Sequence, residues 1–318
     1  MNNSTSYNPL VSVIVPVLNR EDLVLKTLDS IASQTYRPIE LIVVDNGSKD
    51  RSYQNVEEWM NKISDPHLTV RLLKEEKPGA TAARNCGLKE SKGEYINFFD
   101  SDDQMRPNLI EKAIAALKSE EEADLVCWPC IIHQLDGSDR KPTFYSGSFL
   151  ESHIIHSLLR PQGYLAKREL FEKVGGWNET LRGWNDWELG IRLLVRRPRI
   201  VTMEEILADI YSQKDSITGE NFSSKEGIWE KSIDEAEKSS KEIDGPLKDK
   251  VIKMLIYRRI ILAAIYKKEG NIRGAKKLLA TVSHSGNPLD YLLLKFAYFY
   301  TSKGFRGAWR LIRGLYMR

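Results

Sequence analysis

Cysteine is scarce in this chain, three residues in 318, so a disulfide framework is not the source of its stability. Two of the three form a C-x-x-C in DLVCWPCII, but no second ligand pair accompanies them. The surroundings read as strand rather than helix start, so Cys127 and Cys130 are taken as small apolar core residues. Long hydrophobic runs are also missing: no window approaches the ~18 apolar residues of a membrane-spanning helix. The opening MNNSTSYNPL has no basic stretch followed by an apolar one, so a secretory signal is not expected and a cytoplasmic location is. Charge of one sign is absent. Lys and Arg total 47 against 44 Asp and Glu, a net +3, and nucleic acid is not expected as a partner. No Gly-rich phosphate loop follows the first apolar run, which argues against a nucleotidyltransferase. What remains has the composition of a globular protein, 42% hydrophobic and 29% charged, and a length suited to two domains.

Periodicity supplies the architecture. LVSVIVPV (10–17) and IELIVVDN (39–46) are near-continuous β-branched runs, as expected of strands buried on both faces. Between them EDLVLKTLDSIASQ spaces Leu25, Leu28, Ile31 and Ala32 at helical intervals. A helix around 50–62, a strand LTVRLLKEE, a helix PGATAARNCGLKES and a strand YINFFD follow. This alternation predicts an α/β fold, a mostly parallel sheet with helices on both faces. Beyond residue 220 or so the character changes to helices alone, over 225–241, 246–268, 271–283, 287–303 and 305–317.

The polar clusters fall in one place. Asn19 and Arg20 follow the first strand, Asp45 and Asn46 the second, and Asp100, Ser101, Asp102 and Asp103 the fourth. In such sheets ligands bind beyond the carboxyl ends of the strands. Three aspartates within four positions repel one another unless a cation joins them, and oxygen ligands suit Mg²⁺ or Mn²⁺. In extended geometry Asp100 and Asp102 share a side, with Ser101 opposite. A metal held by so few carboxylates keeps positions that phosphate oxygens fill, so a diphosphate is the expected ligand. A solvated turn capping the next helix is the competing reading, and Asp103 suits that role.

Five segments, VSVIVPVLNR (11–20), IELIVVDNGSKD (39–50), PGATAARNCGL (78–88), INFFDSDD (96–103) and GGWNETLRGWNDWELGIRL (175–193), resemble those of family 2 glycosyltransferases with the GT-A fold, in that family's order. The resemblance covers residues up to about 215 and stops short of the helical tail. The change to helices alone near 220–225 places the boundary between a domain over 1–222 and a helical domain over 223–318; the resemblance makes the first a glycosyltransferase domain. It implies an inverting enzyme with a nucleotide-sugar donor, commonly UDP-linked, and a glycan or lipid-linked acceptor in polysaccharide synthesis. Pro16 and Asn19 would line the nucleotide, Asp45 would meet the base, and Arg84 with Ser101 would lie by the nucleotide and its diphosphate. Asp100 and Asp102 match the metal-binding D-x-D. Asp186 matches the general base, although the residue before it is Asn185 where the family usually has Glu. Trp177, Trp184 and Glu188 are weaker candidates for acceptor contact. Where family members often carry a His, this chain has Gln213 and Lys214, and Lys214 would offer its charge to the diphosphate.

Some features stay open. His153 and His156 lie three apart on a helix, but no further zinc ligand is evident. In KGFRGAWRLIRGLYMR an apolar stripe of Phe305, Trp309, Ile312 and Tyr316 runs beside Arg306, Arg310 and Arg313. Packing on the preceding helices is the first reading, and peripheral contact with the inner face of the plasma membrane the second. Homo-oligomer formation is left open. The alternatives to an enzyme of this kind are an inactive sugar-nucleotide-binding module with a helical scaffold, and a glycoside hydrolase using paired carboxylates.

Overall fold

Every residue of VSVIVPV is buried, and the run forms the strand β1 (Val11–Val17) at the middle of the main sheet. The computed structural model describes residues 8–120, 123–140, 148–213, 221–282 and 287–318. After β1 come α1 (Val24–Ala32), β2 (Ile39–Asp45), α2 (Ser52–Met60), β3 (Leu68–Lys74), α3 (Ala80–Glu90) and β4 (Tyr95–Phe98). β5 (Gln104–Met105), α4 (Leu109–Ser119), β6 (Leu125–Cys127), β7 (Cys130–His133), β8 (Asp139–Arg140) and α5 (Phe149–His156) follow. Then come β9 (Tyr164–Lys167), α6 (Arg168–Val174), α7 (Asn185–Val195), β10 (Ile200–Thr202) and β11 (Ala208–Tyr211). The tail holds α8 (Ile228–Ser240), α9 (Pro246–Lys268), α10 (Ile272–Ala280), α11 (Pro288–Ser302) and α12 (Ala308–Tyr316).

The main sheet has the order β10-β6-β9-β4-β1-β2-β3. β1 pairs in parallel with both β2 and β4, and β2 with β3; β9 runs antiparallel to β4 and β6, so the sheet is mixed. Alternation along β1 sends successive side chains to opposite faces. Val11, Val13, Val15 and Val17 join Val24, Leu28 and Ile31 of α1 in one buried cluster, while Ile14 meets Gly87 of α3. Burying each such Leu or Ile stabilises by about 1.5–3 kcal/mol. A smaller sheet has the order β5-β11-β7-β8. Cys127 and Cys130 flank the Trp128–Pro129 step between β6 and β7, both buried; burial pushes the Cys130 thiol up to about 12, and Cys127 up as well.

The chain divides into two compact units that interleave along the sequence. The first takes the described residues before 141, with Leu159–Thr180 and Arg196–Gln213, and contains both sheets. The second takes 148–158, Leu181–Val195 and the described residues from 221 on, so α5 and α7 join the tail helices in one unit. Within it α9 packs against α5, α8, α10 and α11. His153 Nε2 donates to the Trp187 carbonyl at 2.9 Å and Trp187 Nε1 to that of Ile154 at 3.0 Å, which ties α5 to α7. His153 is fully buried against Gly190, a packing residue rather than a zinc ligand. Among the described residues no helix is long and apolar enough to cross a membrane.

The terminal stripe is only partly as the spacing suggests. Trp309, Ile312 and Tyr316 are buried; Phe305 is exposed. Trp309 lies 4.7 Å from Tyr257 of α9 and donates through Nε1 to Glu151 of α5 at 3.0 Å, and Arg313 pairs with the same carboxylate.

Candidate functional site

β1 and β2 are in register from Val11↔Ile39 to Val17↔Asp45, and Ile14 faces Phe98 of β4. The parallel pairing therefore brings the loops after these three strands to one rim of the first unit. Asp45 ends β2 and is almost wholly buried. Its Oδ2 accepts from the Gly47 and Ser48 amides at 3.1 and 3.2 Å. Gly47 makes this turn with φ of 81°, a region that glycine enters without a Cβ penalty. Asp45 Oδ1 is buried with no partner. Buried carboxylate oxygens are normally bonded, so this orphan stands out at the rim.

Pro16 lies inside β1, buried. Asn19, with φ of 51°, stitches the first loop to the second: its amide donates to Ser48 Oγ at 3.1 Å, and its Oδ1 accepts from the Lys49 amide at 2.8 Å. Asn46 does the same for the third loop. Its Nδ2 donates to the Glu75 and Lys77 carbonyls, each at 2.8 Å, and its Oδ1 accepts from the Gly79 amide at 2.6 Å. That holds the start of α3 against the rim.

The aspartates after β4 do not continue the strand. β4 ends at Phe98, and the Asp103 amide donates to the Asp100 carbonyl at 3.3 Å, closing a turn. The extended geometry expected for Asp100 and Asp102 is thus absent, and the carboxylates part company. Asp100 Oδ1 accepts from Arg84 at 2.6 Å. Asp102 Oδ2 accepts from Arg20 at 3.3 Å. Asp103 does not cap α4; it is buried, with Oδ1 accepting from the Tyr211 amide at 2.9 Å. Gln162 Nε2 donates to both Asp100 and Asp103, at 2.6 and 2.5 Å. Ser101 is buried in the turn.

Burial, and then the Asp100 charge, raise the pKa of Asp102. Asp103 is raised well above the usual carboxylate range by burial and by the Asp100 and Asp102 charges. Three carboxylates thus crowd one turn, with Arg84, Arg20 and Gln162 holding them. Among the described residues no three His, Cys, Asp or Glu side chains converge to hold a metal ion. The donor set is nevertheless all oxygen, and Mg²⁺ is commonly held by one or two carboxylates together with phosphate oxygens. Asp100 and Asp102 fit that kind of site.

Arg84 is buried, not a solvated helix residue. Its guanidinium stacks 4.4 Å from the Trp177 ring, and its Nε is buried without a partner. Trp177 is 2% exposed and meets Phe98 edge-on at 5.1 Å. Trp177, a weaker candidate for acceptor contact in the sequence, is corrected: its ring is core and supports Arg84. Asn85, next along α3, donates to the Trp177 carbonyl at 2.9 Å and to Glu179 at 2.7 Å.

The remaining candidates lie in the second unit. Asp186 is the second residue of α7, half-buried, in the first turn, where the helix dipole favours an acid. Trp184 precedes it with φ of 46°, and its ring lies within 5.8 Å of Trp187, Phe222 and Trp229. Gly183 admits this cluster, since a Cβ there would sit 2.6 Å from Trp229. Trp184 is partly exposed, so acceptor contact stays a proposal for it. Glu188 is 1% exposed, and its two oxygens are held by Arg192 at 2.7 and 2.8 Å. That ion pair takes Glu188 away from any acceptor. Lys214 lies outside the described residues.

Three residues of these clusters escaped the sequence reading as site residues. Arg20 stood in a quoted motif but had no role. Gln162 lies 62 positions from Asp100 in a single 3₁₀ turn, Pro161–Gly163, with no motif spacing. Arg258 of α9 stacks 4.4 Å from Trp184 and donates to the Ile155 carbonyl at 3.1 Å. Burial lowers its pKa to about 10, against the opposing charge of Asp186.

Comparison with known proteins places the chain in a family. Residues 12–175, just over half of the chain, match the model of glycosyl transferase family 2. An uncharacterized glycosyltransferase of Rickettsia prowazekii, RP339, is 33% identical over 192 residues, 58% of this chain and 58% of that one. The chain thus spans about three-fifths of the curated relatives it first matches. Among solved structures, Staphylococcus aureus TarS 1–349 in complex with UDP-GlcNAc superposes with a TM-score of 0.71 at 20% identity, over 96% of this chain and 91% of that one. The mannosyltransferase PcManGT from Pyrobaculum calidifontis, in complex with GDP-Man and Mn²⁺, gives 0.59 at 21% identity, over 98% and 86%. These likenesses establish a GT-A-type fold with an added helical region. On the matched segment and the fold together, this chain belongs to glycosyl transferase family 2.

Proposed function

We propose that the chain transfers a sugar from a nucleoside diphosphate, UDP in the first instance, to a hydroxyl of a glycan or lipid-linked acceptor, with inversion at the anomeric carbon. The observation that carries the reading is the orphaned Asp45 Oδ1, buried at the rim where the loops after β1, β2 and β4 meet. A base with an imide N–H supplies the donor this oxygen lacks. The TarS and PcManGT complexes with sugar nucleotides support the ligand class.

In this reading Pro16, Asn19 and Ser101 line the nucleotide, and Asn46 keeps the loops in place. Arg84, already desolvated on Trp177, offers its unpartnered Nε and its charge to the diphosphate. Asp100 and Asp102 would hold a divalent cation, Mn²⁺ or Mg²⁺, which neutralises the charge growing on the departing diphosphate. Arg20 and Gln162 orient these carboxylates until a ligand takes their place. Asp186 takes the proton from the acceptor hydroxyl as that oxygen attacks the anomeric carbon. The nucleoside diphosphate leaves with the bonding electrons. Trp184 offers an aromatic face to the acceptor.

A thermal-shift screen of UDP-, GDP- and dTDP-sugars with and without Mn²⁺ tests this. A matching donor at 100 times its Kd raises stability by about 2.7 kcal/mol. If no nucleotide sugar stabilises the chain under any metal condition, the reading fails.

A further inference from the structure

Eleven large apolar side chains are exposed among the described residues, and eight of them lie in 287–318. On α11, Leu289, Leu292, Phe296 and Phe299 recur at intervals of three and four, so they form one face. Leu311 and Leu315 do the same on α12, which packs on α11, and Phe305 between the helices is 58% exposed. These are not the residues that attach the helices. Leu294 and Ala297 of α11, with Trp309, Ile312 and Tyr316 of α12, are the buried set. The apolar face is therefore additional to the packing face, and nothing among the described residues covers it.

Charge says what covers it. The stretch 287–318 carries six basic residues, Lys295, Lys303, Arg306, Arg310, Arg313 and Arg318, all exposed, of which Arg313 is paired with Glu151. Its one acid, Asp290, is 2% exposed and paired with Lys253 at 3.1 Å. Lys267 of α9 adds a cation 5.0 Å from the Phe299 ring. A second copy of the chain would bring like charges together at such a face. An anionic bilayer satisfies both halves at once, with apolar side chains entering the interface and basic ones meeting lipid phosphates.

We propose that α11 and α12 form a docking surface for an anionic lipid bilayer. The surface differs from the stripe read in the sequence, because Trp309, Ile312 and Tyr316 face inward and Leu311 and Leu315 take their place. The proposal stands on exposure and charge and does not depend on the transfer reaction.

Flotation of the full chain with phosphatidylcholine vesicles, with and without phosphatidylglycerol, tests it. Binding to the anionic vesicles is expected, falling in high salt, with pure phosphatidylcholine binding at least tenfold weaker. Leu292→Ser with Phe296→Ser abolishes flotation while thermal unfolding stays at the wild-type temperature, because both side chains are solvent-exposed. Lys303→Ala and Arg306→Ala weaken binding by about fivefold each. Equal binding to neutral vesicles overturns the proposal, as does no binding to either. So does a dimer in light scattering that the L292S/F296S variant dissociates, since the face would then belong to a second copy.

Discussion

Asp45→Asn isolates the contact on which the ligand assignment rests. The wild-type carboxylate holds the Gly47 and Ser48 amides through Oδ2 and leaves Oδ1 open. In the variant the carboxamide oxygen keeps the two amides, because they can only donate. Its NH₂ then occupies the place of Oδ1, so a ligand N–H would face another donor. A hydrogen bond to a charged acceptor contributes about 1.5–3 kcal/mol, so loss of this one raises the Kd of UDP by about 10- to 150-fold. Titration calorimetry with UDP measures it. Pyrophosphate, which lacks the base, is the control and binds both proteins alike. The turn survives in the variant, so stability without ligand changes by no more than about 1 kcal/mol. Wild-type affinity of D45N for UDP would refute the assignment, as would an equal loss for pyrophosphate.

Asp186→Asn lowers turnover by about 10²- to 10⁴-fold, the usual contribution of a general base, while calorimetry finds UDP still bound; retained turnover removes Asp186 from the mechanism. Burial lowers the pKa of His153 to about 4, so the folded chain keeps it neutral while the unfolded chain protonates it near 6.5. Stability therefore falls as pH drops from 6.5 towards 4, by about 3 kcal/mol for this residue at about 1.4 kcal/mol per unit, and His156 acts in the same direction. Urea unfolding across that range checks it, and His153→Gln should flatten the slope. Gly87→Ala gains about 1 kcal/mol of helix propensity but drives a Cβ into Ile14 of the central strand. Overpacking costs about 1–3 kcal/mol and Ile14 is fully buried with Val44 also close to the new Cβ, so net destabilisation is expected in the same assay; a stabilised variant would contradict the packing.

Much of this was written locally. β1 and β2 were legible because both their faces are buried, which favours near-continuous apolar runs rich in β-branched residues. α9 runs from Pro246 to Lys268 as its spacing predicts, since Gly245 with Pro246 sets one end and Gly270 closes the other. Parallel strands in turn oblige Asn19, Asp45 and Asp100 to share a rim, so the place of the candidate site was legible in the alternation.

Contacts between distant segments were not written locally. Gln162 reaches Asp100 and Asp103 across about 60 residues, and Arg258 reaches Trp184 across 74, with no periodicity to announce either. Glu188 and Trp177 have the chemistry of ligand contacts, yet one is held by Arg192 and the other underlies Arg84. Which stripe of α12 turns inward depended on Tyr257 and Glu151 being there to receive Trp309. The sequence by itself determined the elements, their order and the rim where polar loops gather, because hydrophobic period and strand direction are properties of short stretches. Only the tertiary structure decided which carboxylates are paired, which are left wanting a partner and which apolar face stays open, because burial and charge balance depend on what the rest of the chain brings alongside.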